Sequence, residues 1–123
     1  MGKTCFKQDS IELLPRWRLM CGRAVALGPG RVELLEFINA TGSLRAAAGQ
    51  MGMSYMRAWK LVKDTNRWFR APVVKVVRGG KAGGGARLTE TGREAVDLYR
   101  RLEQQSRTAV RSTCRRLSKL LAP

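Results

Sequence analysis

The sequence predicts a mainly α-helical fold with a small β component, in which a close pair of helices is followed by a β-hairpin and a long C-terminal helix. Three observations carry that expectation. Ser43 and Ser54 each stand where a helix N-cap is wanted, with Gly52 between the two helices they would start. The β-branched run at 73–77 and the residues from Leu88 enclose a basic, glycine-rich loop. From Thr89 onward an amphipathic pattern continues for about 30 residues without a proline. Together these are the layout of a winged helix-turn-helix with an added C-terminal helix.

Residues 1–14 lack sustained periodicity and are expected to be a lead-in, with a short apolar patch at 11–14 ended by Pro15. The folded domain is expected over 15–88, opening on a hairpin at 16–27. In 16–21 (RWRLMC) Trp17, Leu19 and Cys21 alternate with Arg16, Arg18 and Met20. Residues 24–27 are the partner strand, and Gly22-Arg23 suits a two-residue type II′ turn. Gly28-Pro29-Gly30 breaks the strand and launches a helix over 31–41. Val32, Leu34, Leu35 and Ile38 form its buried side, Glu33 and Glu36 lie outside, and Gly42 closes it. This helix is neutral and is expected to supply core, not chemistry.

Residues 43–69 are the helix-turn-helix. Gly52 permits the left-handed backbone that reverses the chain. Ala48 is small enough for a close helix crossing, Met51 and Met53 plug the angle, and Ala58 and Leu61 return to the seam. In the second helix, over 54–69, the 100° step per residue places Tyr55, Ala58, Trp59, Val62 and Phe69 in one apolar stripe. Arg57, Lys60, Lys63, Asp64 and Arg67 fall opposite. A charged face alone is most often only solvated; the cap–turn–cap layout is what favours DNA reading.

Residues 73–88 are the wing. Its loop, RGGKAGGGAR at 78–87, holds five glycines and three cations. Such a loop lies along a phosphate backbone or enters the minor groove. A nucleotide P-loop has a similar outline, but Lys75 stands where its first glycine belongs and Ala82 replaces the magnesium-binding hydroxyl. Residues 89–123 form the last helix, with Thr89 as N-cap and Glu90 suited to the first turn. Ala95, Tyr99, Leu102, Ala109, Val110, Leu117, Leu120 and Leu121 recur along it. A helix of about 30 residues spans roughly 45 Å, more than a domain this small covers. A second copy of the chain is therefore expected as a homodimer partner. Arg107, Arg111, Arg115, Arg116 and Lys119 are expected to solvate its outer face.

Composition narrows the function. The chain has 123 residues and a net charge of +15. Residues 54–87 carry nine Lys/Arg against one Asp, the footprint of a phosphate-backbone binder. No apolar run approaches membrane-spanning length and no signal peptide is visible, so a cytoplasmic protein without membrane partners is expected. Cys5, Cys21 and Cys114 are scattered, with no CxxC and no histidine, which disfavours a metal site and removes the commonest general base. No catalytic residues are assigned and no enzyme is expected. The expected partner is double-stranded DNA. Arg57 and Lys60 are assigned to base edges, with Ser54 and Tyr55 near the helix N-terminus. Ser43, Lys63 and Arg67 are assigned to phosphates, and Arg78, Lys81 and Arg87 to the wing contact.

SLRAAAGQMGMSYMRAW, followed by GGKAGGGARLTETG, resembles the N-terminal DNA-binding domain of ModE-type molybdate-responsive transcription regulators. The wider helix-turn-helix is similar to that of LysR-type regulators. The resemblance runs from about Leu27 to Leu102 and implies a winged helix that dimerises through helices outside the reading unit. The wing glycines with Leu88, Thr89 and Gly92 are its more specific part. Ser54, Tyr55, Ala58 and Trp59 match the family pattern. Met56 and Arg57 depart from it, standing where a cation and a small hydroxyl residue are usual, which implies a different operator. Full-length members also carry C-terminal β-barrel domains for molybdate or tungstate. These residues do not contain them, so the oxyanions enter by family resemblance only and no cofactor is expected. The reading is a sequence-specific regulator of transcription. Its rivals are a non-specific architectural or nucleoid DNA-binding protein and an interaction subunit that senses through a separate partner.

Overall fold

The computed structural model describes residues 11–77 and 85–122. Four helices and two two-stranded antiparallel sheets appear among them: β1 (Leu19–Cys21), β2 (Ala24–Leu27), α1 (Pro29–Thr41), α2 (Leu44–Gln50), α3 (Tyr55–Trp68), β3 (Val74–Val77), β4 (Gly85–Leu88) and α4 (Glu90–Ser118). The structure is thus mainly helical with a long C-terminal helix. The chain divides into two compact units. Among the described residues, one falls within Arg16–Tyr99; the other joins 11–15 to those from Arg100 onward.

The first unit opens on the β1–β2 hairpin, with Cys21 opposite Ala24 and Met20 opposite Val25. Gly22 has φ +62° and Arg23 a negative φ, the sign pattern of the expected II′ turn. The first strand is shorter than the alternation at 16–21 suggests. Pairing shifts by a residue between Leu19 and Met20, and the Trp17 carbonyl instead accepts a 2.8 Å bond from Tyr99 Oη. Helix α1 starts at Pro29, two residues before its expected start. Proline suits that position because the N–H it lacks would be unpaired there anyway. Val32, Leu34, Leu35 and Ile38 are its buried residues, and Gly42 ends it at φ +69°.

Helix α2 then begins on Ser43, whose Oγ accepts the Ala46 N–H at 3.1 Å. Gly52 sits at φ +65° between α2 and α3, and Met53 N donates to Ala48 O at 3.0 Å across the turn. Ala47 and Ala48 from α2 and Ala58 and Val62 from α3 meet the α1 leucines in one core, which also takes Val73, Val74, Ala86, Leu88, Ala95, Val96 and Tyr99. Small side chains at 47, 48 and 58 let the three helices approach closely.

Polar contacts tie the second sheet to this core. Asn66 at the end of α3 accepts from Val73 N at 2.7 Å and Val74 N at 3.2 Å. Ala86 N donates to Gly42 O at 3.0 Å. Thr89 caps α4 through its Oγ1, which accepts from Gly92 N at 3.0 Å. Gly92 is buried against Val73, with no room for a side chain. Helix α4 ends at Ser118, not near Leu121; Leu120 and Leu121 lie in a terminal turn. In the second unit, Arg100 Nη1 meets Glu103 Oε1 at 2.6 Å, and residues 11–15 line a groove with Arg107, Val110, Arg111 and Arg115.

Candidate nucleic-acid interface

The candidate surface is the outer side of α3. The helix is fixed at its start by Ser54, whose Oγ accepts the Arg57 N–H at 3.1 Å. It is fixed on its inner side by the burial of Ala58, Val62 and Thr65. With those three turned inward, helical geometry turns Arg57, Lys60, Lys63 and Arg67 outward. All four are exposed, and none forms an ion pair among the described residues. Ser43 and Ser54 both spend an acceptor on their caps and keep their hydroxyl protons to donate.

Two residues of the expected helix faces have partners that the helix pattern does not show. Asp64 does not stand free among the cations. Arg31 of α1 reaches it, Nη2 to Oδ2 at 2.7 Å, while Nη1 donates to Thr65 Oγ1 at 2.8 Å. Thr65 in turn donates to Leu61 O at 2.7 Å. The hydrogen bond from Arg31 holds the Asp64 carboxyl below the ordinary range against the opposing effect of burial. The charges of Arg31 and Arg67 and a side-chain hydrogen bond from Trp68 add to it. The one carboxylate of α3 is thereby paired with an arginine of α1, while its side chain stays 40% exposed. Helix α1, expected to be chemically silent, supplies that arginine.

Tyr55 is the second. The apolar stripe grouped it with Ala58 and Val62, while its place at the helix N-terminus assigned it to the DNA contact; it is exposed, and its ring lies under the Arg45 guanidinium, 4.9 Å from carbon to centroid. Trp59 and Phe69, from the same stripe, are half-buried against the core.

The β3–β4 ladder brings a further cation to the surface. Lys75 pairs directly across from Arg87, and both are exposed. Like charges opposite each other in a ladder are destabilising, and an anion laid over them relieves the repulsion. Lys75 was not among the residues assigned to DNA from the sequence, where it figured only in excluding a P-loop. Its place as the lone polar residue of VVKVV marks it as facing out, but its partner follows only from the register. Arg78 and Lys81, assigned to the wing contact, lie outside the described residues, as does Cys5. Cys21 is exposed and Cys114 half-buried. No group of three or more His, Cys, Asp or Glu able to hold a metal occurs among the described residues, and no helix there is long and apolar enough to cross a membrane.

No family model matches the chain. Among curated proteins it is 44% identical to the molybdenum-pterin-binding protein MopB of Rhodobacter capsulatus, over 68% of this chain and 33% of that protein. It is 36% identical to the molybdenum transport protein ModE of Azotobacter vinelandii, over 90% of this chain and 41% of that protein. It is 38% identical to the DNA-binding transcriptional dual regulator ModE of Escherichia coli K12, over 62% of this chain and 29% of that protein. The chain therefore spans between 29% and 41% of the length of these relatives. Their names are those of regulators and of molybdenum-binding or transport proteins, and none is that of an enzyme.

Proposed function

We propose that this chain, which is homologous over most of its length to ModE transcriptional regulators and corresponds to their N-terminal region, is a winged helix-turn-helix that binds double-stranded DNA sequence-specifically. It regulates transcription in the cytoplasm by occupying a promoter-proximal site and blocking or repositioning polymerase. The observation that carries this reading is α3: a helix capped at Ser54, packed on its inner side, and offering Arg57, Lys60, Lys63 and Arg67 with its one carboxylate tied to Arg31. Major-groove reading asks for such a helix, with its first turns at the base edges and later cations along the backbone. Arg57 and Lys60 take the base edges, Ser43, Lys63 and Arg67 the phosphates, and Arg87 with Lys75 the wing contact, joined by Arg78 and Lys81.

Dimerisation is part of the proposal. Leu98, Leu102, Val110 and Leu117 are exposed along α4, within about 120° of one another at 100° per residue. The same side of the helix buries Ala95 and Tyr99. A second copy covering that stripe would bring two reading helices to a dyad-symmetric site. Selection of duplexes from a random pool tests the reading. A dyad-symmetric consensus, bound at least about 10³-fold more tightly than random DNA, is the expected result. A ratio below about tenfold would assign the chain to the architectural class instead.

A further inference from the structure

The contact between Arg45 and Tyr55 joins two helices at the end of α3 where base reading begins. Arg45 is the second residue of α2 and Tyr55 the first of α3. Both are exposed, and the guanidinium carbon stands 4.9 Å from the ring centroid, within cation–π range. Neither residue is needed by the core, and Arg45 forms no ion pair among the described residues.

On its own, an exposed arginine on the first helix of a helix-turn-helix is a backbone contact, because that helix crosses the phosphates. The tyrosine changes where its charge is held. Drawn over the ring, the guanidinium is held beside Tyr55, the first residue of α3. That is where side chains meet base edges. Stacking also uses the face of the guanidinium and leaves the N–H donors around its edge available. It restricts an otherwise flexible side chain before DNA arrives, which lowers the ordering cost of binding. A pre-positioned fork of donors fits one base-edge pattern best: the two acceptors N7 and O6 of guanine in the major groove.

We propose that Arg45, held by Tyr55, reads a guanine in each half-site, as a specificity residue contributed by α2 in addition to the α3 contacts. Tyr55 acts as a positioning residue, through its ring and not its hydroxyl. This rests on the DNA-reading function proposed above.

The test measures affinity of the full chain for the duplex it selects and for a panel of single-base-pair variants of that duplex. Wild-type protein should show one guanine per half-site whose replacement costs about 5- to 150-fold in affinity. Arg45→Ala should lose that preference while keeping preferences at the other positions. Tyr55→Leu should lose most of it, Tyr55→Phe should retain it, and the double variant Arg45→Ala/Tyr55→Leu should lose no more than Arg45→Ala alone. Circular dichroism melts should match wild type for all of them, since both side chains are exposed. If Arg45→Ala weakens every duplex by the same factor, Arg45 is a phosphate contact and the inference is overturned while DNA reading stands. If Tyr55→Leu leaves the guanine preference whole, the positioning role is overturned. If the wild type discriminates among no duplexes, the DNA-reading function itself fails and this inference with it.

Discussion

Gly92→Ala sets two effects of opposite sign against each other. Gly92 lies in the first turn of α4, where helix propensity alone favours alanine by about 1 kcal/mol. A Cβ there, however, would stand 2.1 Å from the Val73 carbonyl oxygen and 3.0 Å from its carbon. Carbon–oxygen contacts are ordinarily no closer than about 3.3 Å, so the Val73 backbone would have to retreat by about 1 Å or more. It has little freedom to do so. Val73 is fully buried, its N–H is held by Asn66 at 2.7 Å, and its carbonyl accepts Thr89 N at 3.0 Å. Weakening those two bonds costs about 0.5–1.5 kcal/mol each, and overpacking adds about 1–3 kcal/mol. After the propensity gain the net loss is roughly 3 kcal/mol, a fall in melting temperature on the order of 10 °C. Gly49→Ala is the control. It is also helical, with nothing within 4 Å of its built Cβ, and should raise stability by up to about 1 kcal/mol. Thermal and urea denaturation of both variants read the result. A Gly92→Ala protein as stable as wild type would refute the close approach of α4 to the Val73 backbone.

Three other outcomes are expected. Arg57→Ala should lose about 1–3 kcal/mol of discrimination at one position of the site, whereas Arg87→Ala should weaken all sequences alike and reduce the salt slope by about one; equal behaviour of the two would contradict the division of roles. Because the Asp64 pKa is lowered in the folded state, its pairing stabilises the protein above the unfolded carboxylate pKa and is lost as pH falls through the lower folded value. The stability gap between wild type and Asp64→Asn, measured by urea titration, should therefore be full at neutral pH and shrink below about pH 4. Leu102→Glu combined with Leu117→Glu should convert a dimer into a monomer in sedimentation experiments, leaving the melting of the 16–99 unit near that of wild type.

Much of this architecture is legible in local chemistry. Ser43, Ser54 and Thr89 cap, and Gly22, Gly42 and Gly52 take positive φ, because these roles depend on residues a few positions apart. The four buried residues of α1 follow from its periodicity alone. What was not legible depends on partners distant in sequence. Asp64 reads as part of a solvated face until Arg31, 33 residues away, is placed beside it. Nothing nearby marks the polar Thr65 as buried, or Asn66 as the staple to Val73 and Val74. Tyr55 falls in the apolar stripe yet is exposed beside Arg45 of another helix, a contact that periodicity does not give. Lys75 needed the strand register to meet Arg87.

The central claim is that position on α3, and not total charge, determines DNA binding. Lys60→Glu and Arg116→Glu change the net charge equally, and both residues are exposed. Affinity for the selected duplex, measured by fluorescence anisotropy at about 0.15 M salt, should fall about 100-fold or more for Lys60→Glu, where a carboxylate would face the duplex. For Arg116→Glu it should fall only a few-fold. Equal losses in the two variants would contradict the account.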